Sequence, residues 1–172
     1  FFVQEAAPRG PFASSGELSV FSQHWIREHA EKPRGPGERR IVVGHFPVRD
    51  ASGAPLTRRR RLFGGQTIAE LLDAGGIDAA LCGHVHTPFR RDTPSGAFEV
   101  CAGALSIWGK LNVIDYCPDC GDLVQHWEDV TGPAASLVGM TKPLVPAEAG
   151  ALPYCGVVGG ETMTQEGEAH GG

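Results

Sequence analysis

Three histidines in this chain of 172 residues have a spacing that suits metal binding. His45 and His84 each come directly after a glycine that ends a short apolar segment, and His86 lies two residues further on. Neutral imidazole is the commonest protein ligand for first-row divalent metals. Glycine lets the main chain turn sharply and approach closely whatever lies at the end of a strand. His45, His84 and His86 are therefore candidate metal ligands.

The two apolar segments, 41–44 and 78–82, are predicted to be neighbouring parallel strands. A helix is predicted between them, with Thr67 and Glu70 as a capping box and glycines after residue 74. A β-helix-β unit with a right-handed crossover brings the carboxyl ends of both strands to one edge of the sheet. Ligands of α/β sheets bind in the crevice beyond that edge. The three histidines should therefore lie together there.

The pattern Gly44-His45 followed by Gly83-His84-Val85-His86 resembles the last two motifs of the calcineurin-like metallophosphoesterases. The resemblance implies an α/β fold, the C-terminal part of a sandwich of two mixed β-sheets flanked by helices. It also implies two divalent metal ions (Mn, Fe or Zn), with His45 and His84 on one ion and His86 on the other. The implied reaction is hydrolysis of a phosphomonoester or phosphodiester by a hydroxide that the two metals activate.

Three further motifs of that family, Asp-x-His, Gly-Asp-x-x-Asp and Gly-Asn-His-Asp/Glu, do not occur in the sequence. They would supply the bridging Asp, an Asn ligand and the His that assists the leaving group, so no catalytic residue is assigned. Three imidazoles divided over two ions cannot hold a binuclear centre. The chain is thus predicted to be an incomplete domain that is inactive alone and needs a missing N-terminal half or a partner chain. Without it, strands 41–44 and 78–82 would have an open apolar edge.

A helix is predicted over residues 18–30, with Ser19 as its N-cap. Four apolar residues with helical spacing are expected to face the core: Leu18, Phe21, Trp25 and Ile26. This segment resembles the helix that precedes the first Gly-His motif in the cyclic-nucleotide phosphodiesterase-like and acid-phosphatase-like branches of the family. The resemblance favours a small phosphodiester, such as a cyclic nucleotide, as the substrate.

Three later segments, 98–102, 110–116 and 122–129, are predicted to be strands that complete the second sheet. Residues 1–130 are accordingly assigned to the C-terminal portion of the phosphoesterase domain. Gly, Pro and Ala dominate residues 131–172, where no hydrophobic period persists, so these residues are predicted to form a disordered tail.

The net charge of −5 is unevenly distributed, because residues 1–61 contain eleven of the fifteen basic residues and only six acidic ones. The run Arg58 to Arg61 could bind a substrate phosphate or could be a solvated surface patch. An acidic chain with few aromatic residues near its arginines does not favour nucleic-acid binding. No apolar segment is long enough to span a membrane. Five cysteines do not fit a disulfide framework, which favours the cytoplasm.

Two alternative functions remain open. Cys117 and Cys120 form a Cys-x-x-Cys pair, so the chain could be a small zinc-binding protein, although zinc needs four ligands and no second pair is present. The chain could instead be a non-catalytic half-domain that pairs with a partner chain.

Overall fold

The computed structural model describes residues 14–130 and the backbone of residues 2–3 and 7–8. The proposed tail, 131–172, lies outside the described residues, and its disorder stays a prediction. The strands are Phe2–Val3 (β1), Ala7–Pro8 (β2), Gly16–Glu17 (β3), Ile41–Val43 (β4), Leu62–Phe63 (β5), Ala79–Cys82 (β6), Phe89–Asp92 (β7), Phe98–Cys101 (β8), Lys110–Tyr116 (β9) and Leu123–Asp129 (β10). The helices are Val20–Glu31 (α1), Gln66–Asp73 (α2) and Leu105–Trp108 (α3).

The main sheet has five strands in the order β1-β4-β6-β8-β7, all parallel except the antiparallel edge strand β7. The predicted β-helix-β unit is confirmed, with β4 next to β6 and α2 between them in the chain. The predicted open edge is wrong. Phe2–Val3 pairs with the outer side of β4, and β8 covers the other side of β6, so both strands have two neighbours.

Segment 98–102 does not belong to the second sheet, which corrects the sequence prediction. Its strand, β8, lies beside β6 in the main sheet. All four residues of β8 are buried, which is typical of a central strand covered on both faces. The preceding strand β7 makes this possible, because it turns back and pairs antiparallel with β8 at the sheet edge.

The other two predicted strands, β9 and β10, form an antiparallel hairpin that covers one face of the main sheet. Ile114, Leu123 and Trp127 of this hairpin pack against a buried cluster of the sheet formed by Ile41, Ala79, Phe98 and Val100. Helices α1 and α2 contribute to a second buried cluster together with Val42 and Ala80 of the sheet. The molecule is therefore an α/β structure with mixed sheets and flanking helices, as the sequence predicts.

Helix α1 begins as predicted, since the Ser22 amide donates to Ser19 Oγ at 3.0 Å. Its predicted apolar stripe is only half right. Leu18 and Ile26 are buried, but Phe21 is 76 % exposed and Trp25 37 % exposed. Among the described residues, none of the helices has the length and apolar character that a membrane span requires.

Helix α2 has no capping box, contrary to the prediction. It begins at Gln66 after Gly65, and no side chain caps its amino end. Thr67 is a buried residue of α2, and its hydroxyl donates to Gln23 Oε1 at 3.2 Å. Glu70 forms an ion pair with Arg27 at 2.8 Å. Both side chains therefore connect α2 to α1.

The amino ends of β4 and β6 are held together by the carboxylate of Asp78. It accepts a hydrogen bond from the Arg40 amide at 2.7 Å and forms ion pairs with Arg34 at 2.9 Å and Arg39 at 3.1 Å. Ile41 is thereby aligned with Ala79 at the start of the two strands.

Replacing Leu72 by Ala should lower the free energy of unfolding by about 2–5 kcal/mol, because its side chain is fully buried between the helices and the sheet. Phe21→Ala is the matched control and should change stability by less than about 0.5 kcal/mol, because that ring is exposed. Urea denaturation measures both. A loss at Phe21 as large as that at Leu72 would contradict the observed packing of α1.

Candidate metal site

Hydrogen bonding between β4 and β6 continues past the ends of both strands. The Gly44 amide donates to the Leu81 carbonyl at 2.9 Å, and the Gly83 amide donates to the His45 carbonyl at 3.0 Å. The two Gly-His exits therefore leave the sheet side by side. As a result His84 Nδ1 lies 3.2 Å from His45 Nε2.

The spacing of these two nitrogens fits a shared metal ion. Imidazole nitrogens bind zinc at ~2.0–2.1 Å, so two of them on one ion lie about 2.9–3.4 Å apart, depending on the angle at the metal. The observed distance of 3.2 Å falls in that range. The contact is a hydrogen bond in which one ring donates and the other accepts, so both nitrogens could bind one ion once the shared proton is released.

His84 has a backbone conformation that side chains rarely adopt. Its φ angle is +63°, and it is the one non-glycine residue with positive φ in the part of the chain that the structure describes. Such conformations cost of order 1–3 kcal/mol and cluster at functional sites. Partial burial and the positive charge that His45 can carry lower the pKa of His84, which favours the neutral imidazole that metals require.

His86 lies at the same edge but is not part of the His45–His84 pair. Its carbonyl accepts hydrogen bonds from Trp108 Nε1 at 2.6 Å and from the Ala104 amide at 3.2 Å, which fix its backbone. Within the described ranges, no three His, Cys, Asp or Glu side chains lie close enough together to hold a metal. The structure thus brings two of the candidate ligands into contact and places the third separately.

All three histidines line one cavity of about 760 Å³. Its other lining residues are Ser14, Arg60, Gly83, Val85, Thr87, Gly103 and Ala104. Of the four consecutive arginines, Arg60 is the one that lines this cavity. The turn that carries it is attached to residue 14, whose hydroxyl donates to the Arg59 carbonyl at 2.7 Å.

Phe46 supports the two imidazoles from one side. Its ring centroid lies 4.9 Å from that of His45 and 4.4 Å from that of His84. The ring occupies space that a Cβ atom at Gly16 would need, so only glycine fits there. Strand β3 therefore approaches the histidine pair closely and carries residue 14 to the cavity.

Glu99 positions the segment after His45, a role that was not predicted from the sequence. Its carboxylate is fully buried in β8, accepts a hydrogen bond from the Val48 amide at 2.7 Å and pairs with Arg91 at 3.0 Å. The Arg49 amide approaches the same oxygen at 3.4 Å. A glutamate in the middle of an otherwise apolar strand was the available signal.

Comparison with known proteins gives one family. The family model described as calcineurin-like phosphoesterase matches residues 7–88 of the chain. This segment contains both Gly-His exits and all three histidines. No curated protein matches the chain. The family resemblance seen in the sequence is thus confirmed, while the domain boundary at residue 130 stays a prediction.

Glu99→Gln should change how stability depends on pH. Burial raises the pKa of Glu99 above its ordinary value of 4.5, outweighing the hydrogen bonds from Val48 and Arg91. A group whose pKa is higher in the folded than in the unfolded state contributes to the free energy of unfolding. The contribution is fully present below the unfolded-state pKa and is lost as the pH rises through the folded-state pKa. The free energy of unfolding of the wild type, relative to that of Glu99→Gln, should therefore fall as the pH rises from about 4.5 to 7.

Urea denaturation of the two proteins across that pH range measures the difference, and the histidines common to both cancel from it. A difference that rises with pH would mean that the ionised form of Glu99 is the one favoured in the fold.

Proposed function

Because residues 7–88 belong to the calcineurin-like phosphoesterase family, we propose that this chain contributes part of a metal-dependent phosphoesterase site. The observation that carries the proposal is the 3.2 Å contact between His45 Nε2 and His84 Nδ1 at the carboxyl ends of adjacent parallel strands. The proposed reaction is hydrolysis of a phosphomonoester or phosphodiester.

In this proposal His45 and His84 hold one divalent ion and His86 holds the second, with Mn, Fe or Zn as the candidate metals. Two divalent ions at such a site activate water and neutralise charge on the phosphoryl oxygens. The chain's own contribution is to hold the imidazoles of His45 and His84 next to each other. Phe46 limits their rotation, and the lowered pKa of His84 keeps its proton from competing with a metal at neutral pH.

The proposed substrate is a small phosphoester such as a cyclic nucleotide. The cavity of about 760 Å³ is in the size range of small-molecule sites. Arg60 lines it together with the histidines, so its guanidinium can attract a phosphate toward the proposed metal positions. Arg61 has another contact, over the Phe63 ring at 5.4 Å.

Hydrolysis needs ligands beyond these three imidazoles. We propose that a missing N-terminal half or a partner chain supplies carboxylate and amide ligands, and that this chain alone is inactive. The odd number of cysteines supports a cytoplasmic location.

Zinc titration of the full chain tests the proposed ligands. The background for all variants replaces Cys117, Cys120 and Cys155 by serine, so that these three thiols do not bind the metal. In it, His45→Ala and His84→Ala should each weaken zinc binding at least about tenfold, because each removes one of two direct ligands.

His24→Ala is the matched control, since this exposed histidine on α1 lies outside the cavity. It should leave the zinc affinity unchanged. Equal affinities of the parent and both ligand variants, measured by calorimetry, would refute the proposed site and favour a non-catalytic half-domain.

A further inference from the structure

The turn between β9 and β10 holds two cysteines near each other. Cys117 and Cys120 lie at its start and end, with the Cys117 amide donating to the Asp122 carbonyl at 2.9 Å. The Gly121 amide donates back to the Cys117 carbonyl at 2.8 Å. The side chains of Cys117 and Cys120 are hydrogen-bonded to each other, so the two sulfur atoms are already in contact. Disulfides need a Cα separation of about 4.4–6.8 Å.

The turn is held in this shape by the segment before β4. Tyr116 Oη donates to the Gly37 carbonyl at 3.0 Å, and Arg39 Nε donates to the Gly121 carbonyl. A Cβ atom on Gly121 would lie 3.0 Å from Gly37 Cα, so the two backbones are in direct contact. The two cysteines are therefore preorganised by packing rather than brought together by chance motion of a free loop.

The environment of Cys117 favours its thiolate. Hydrogen bonds from the Cys120 side chain and from the backbone amides of Cys120 and Asp119 lower the pKa of Cys117. Cys117 is half-buried and Cys120 is exposed, so reagents in solution can reach the pair. A stabilised, accessible thiolate is the reactive form of cysteine.

The other two described cysteines differ from the turn pair because they are buried. Cys82 and Cys101 are buried on adjacent strands, and the hydrogen bond with Cys101 together with burial raises the pKa of Cys82. The Cys101 thiol is directed at the carbonyls of Gly83 and Val85, each at 3.2 Å. The hydrogen bond with Cys82 lowers the pKa of Cys101, but both thiols are buried, so disulfide reagents in solution cannot reach them.

We propose that Cys117 and Cys120 form a redox-active dithiol that exchanges with small-molecule disulfides of the glutathione class. The Cys117 thiolate attacks one sulfur of the disulfide, forming a mixed disulfide and releasing one thiolate. Cys120 then loses its proton to solvent and attacks the Cys117 sulfur, which releases the second thiolate and forms the Cys117–Cys120 bond. The protein gives up two electrons and two protons, and the small disulfide is reduced to two thiols.

This dithiol is independent of the proposed phosphoesterase site. The turn that carries it contacts Gly37 and Arg39, before the amino end of β4, whereas the histidines follow the carboxyl ends of β4 and β6. Within the described residues the pair also lacks the further His, Cys, Asp or Glu ligands that a structural zinc needs.

The test uses the full chain with Cys155, which lies outside the described residues, replaced by serine. The protein is equilibrated with mixtures of reduced and oxidised glutathione, the remaining thiols are alkylated, and peptides are mapped by mass spectrometry. The expected product is a Cys117–Cys120 disulfide that appears while Cys82 and Cys101 stay reduced. In Cys120→Ser the mixed disulfide with glutathione should accumulate on Cys117, because the resolving thiol is absent.

Cys117→Ser is the matched variant, and its Cys120 should react with glutathione disulfide more slowly than Cys117 does in Cys120→Ser. Equal rates in the two variants, or no Cys117–Cys120 bond at any glutathione ratio, would overturn the proposal. Protection of both thiols by half an equivalent of zinc, without disulfide formation, would also overturn it and indicate a metal site shared by two chains.

Discussion

The parallel register of β4 and β6 is the constraint on which the proposed site depends. Val43 lies opposite Leu81, and hydrogen bonds continue that alignment through both glycines to the histidines. A slip of one residue would move one exit by about 3.3 Å and turn its side chain to the other face of the sheet. At the opposite ends of the strands, Asp78 resists such a slip through its ion pairs and its hydrogen bond from the Arg40 amide.

Around this register the chain keeps two features that cost free energy in isolation. His84 occupies the left-handed region, and Glu99 buries a carboxylate in the centre of the sheet. Both features control how the chain leaves the sheet, because one orients the second Gly-His exit and the other holds the amide of Val48 after the first exit. Local strain at His84, and a buried carboxylate that holds the segment after His45, are features expected where a structure is organised for binding.

The meeting of His45 and His84 was easier to predict from the sequence than the elements around them, for physical reasons. A strand followed by glycine is a local signal, and crossover handedness then determines where His45 and His84 meet. Which sheet contains segment 98–102 depends on whether β7 turns back to pair with β8, and this is decided by tertiary packing rather than by local sequence. The exposure of Phe21 could not be predicted from the spacing of apolar residues either. That spacing identifies one face of α1, but the neighbouring elements decide how much of the face is buried. Glu99 was missed because its partners are distant in sequence.

Long-range proton–nitrogen NMR of the imidazole rings during zinc titration, in the cysteine-to-serine background, shows whether His45 and His84 share one ion. We expect His45 Nε2 and His84 Nδ1 to shift together, at the same zinc concentration, because one ion binds both. Independent titration of the two rings, or shifts at the opposite nitrogen of either ring, would contradict a shared ion and with it the proposed metal site.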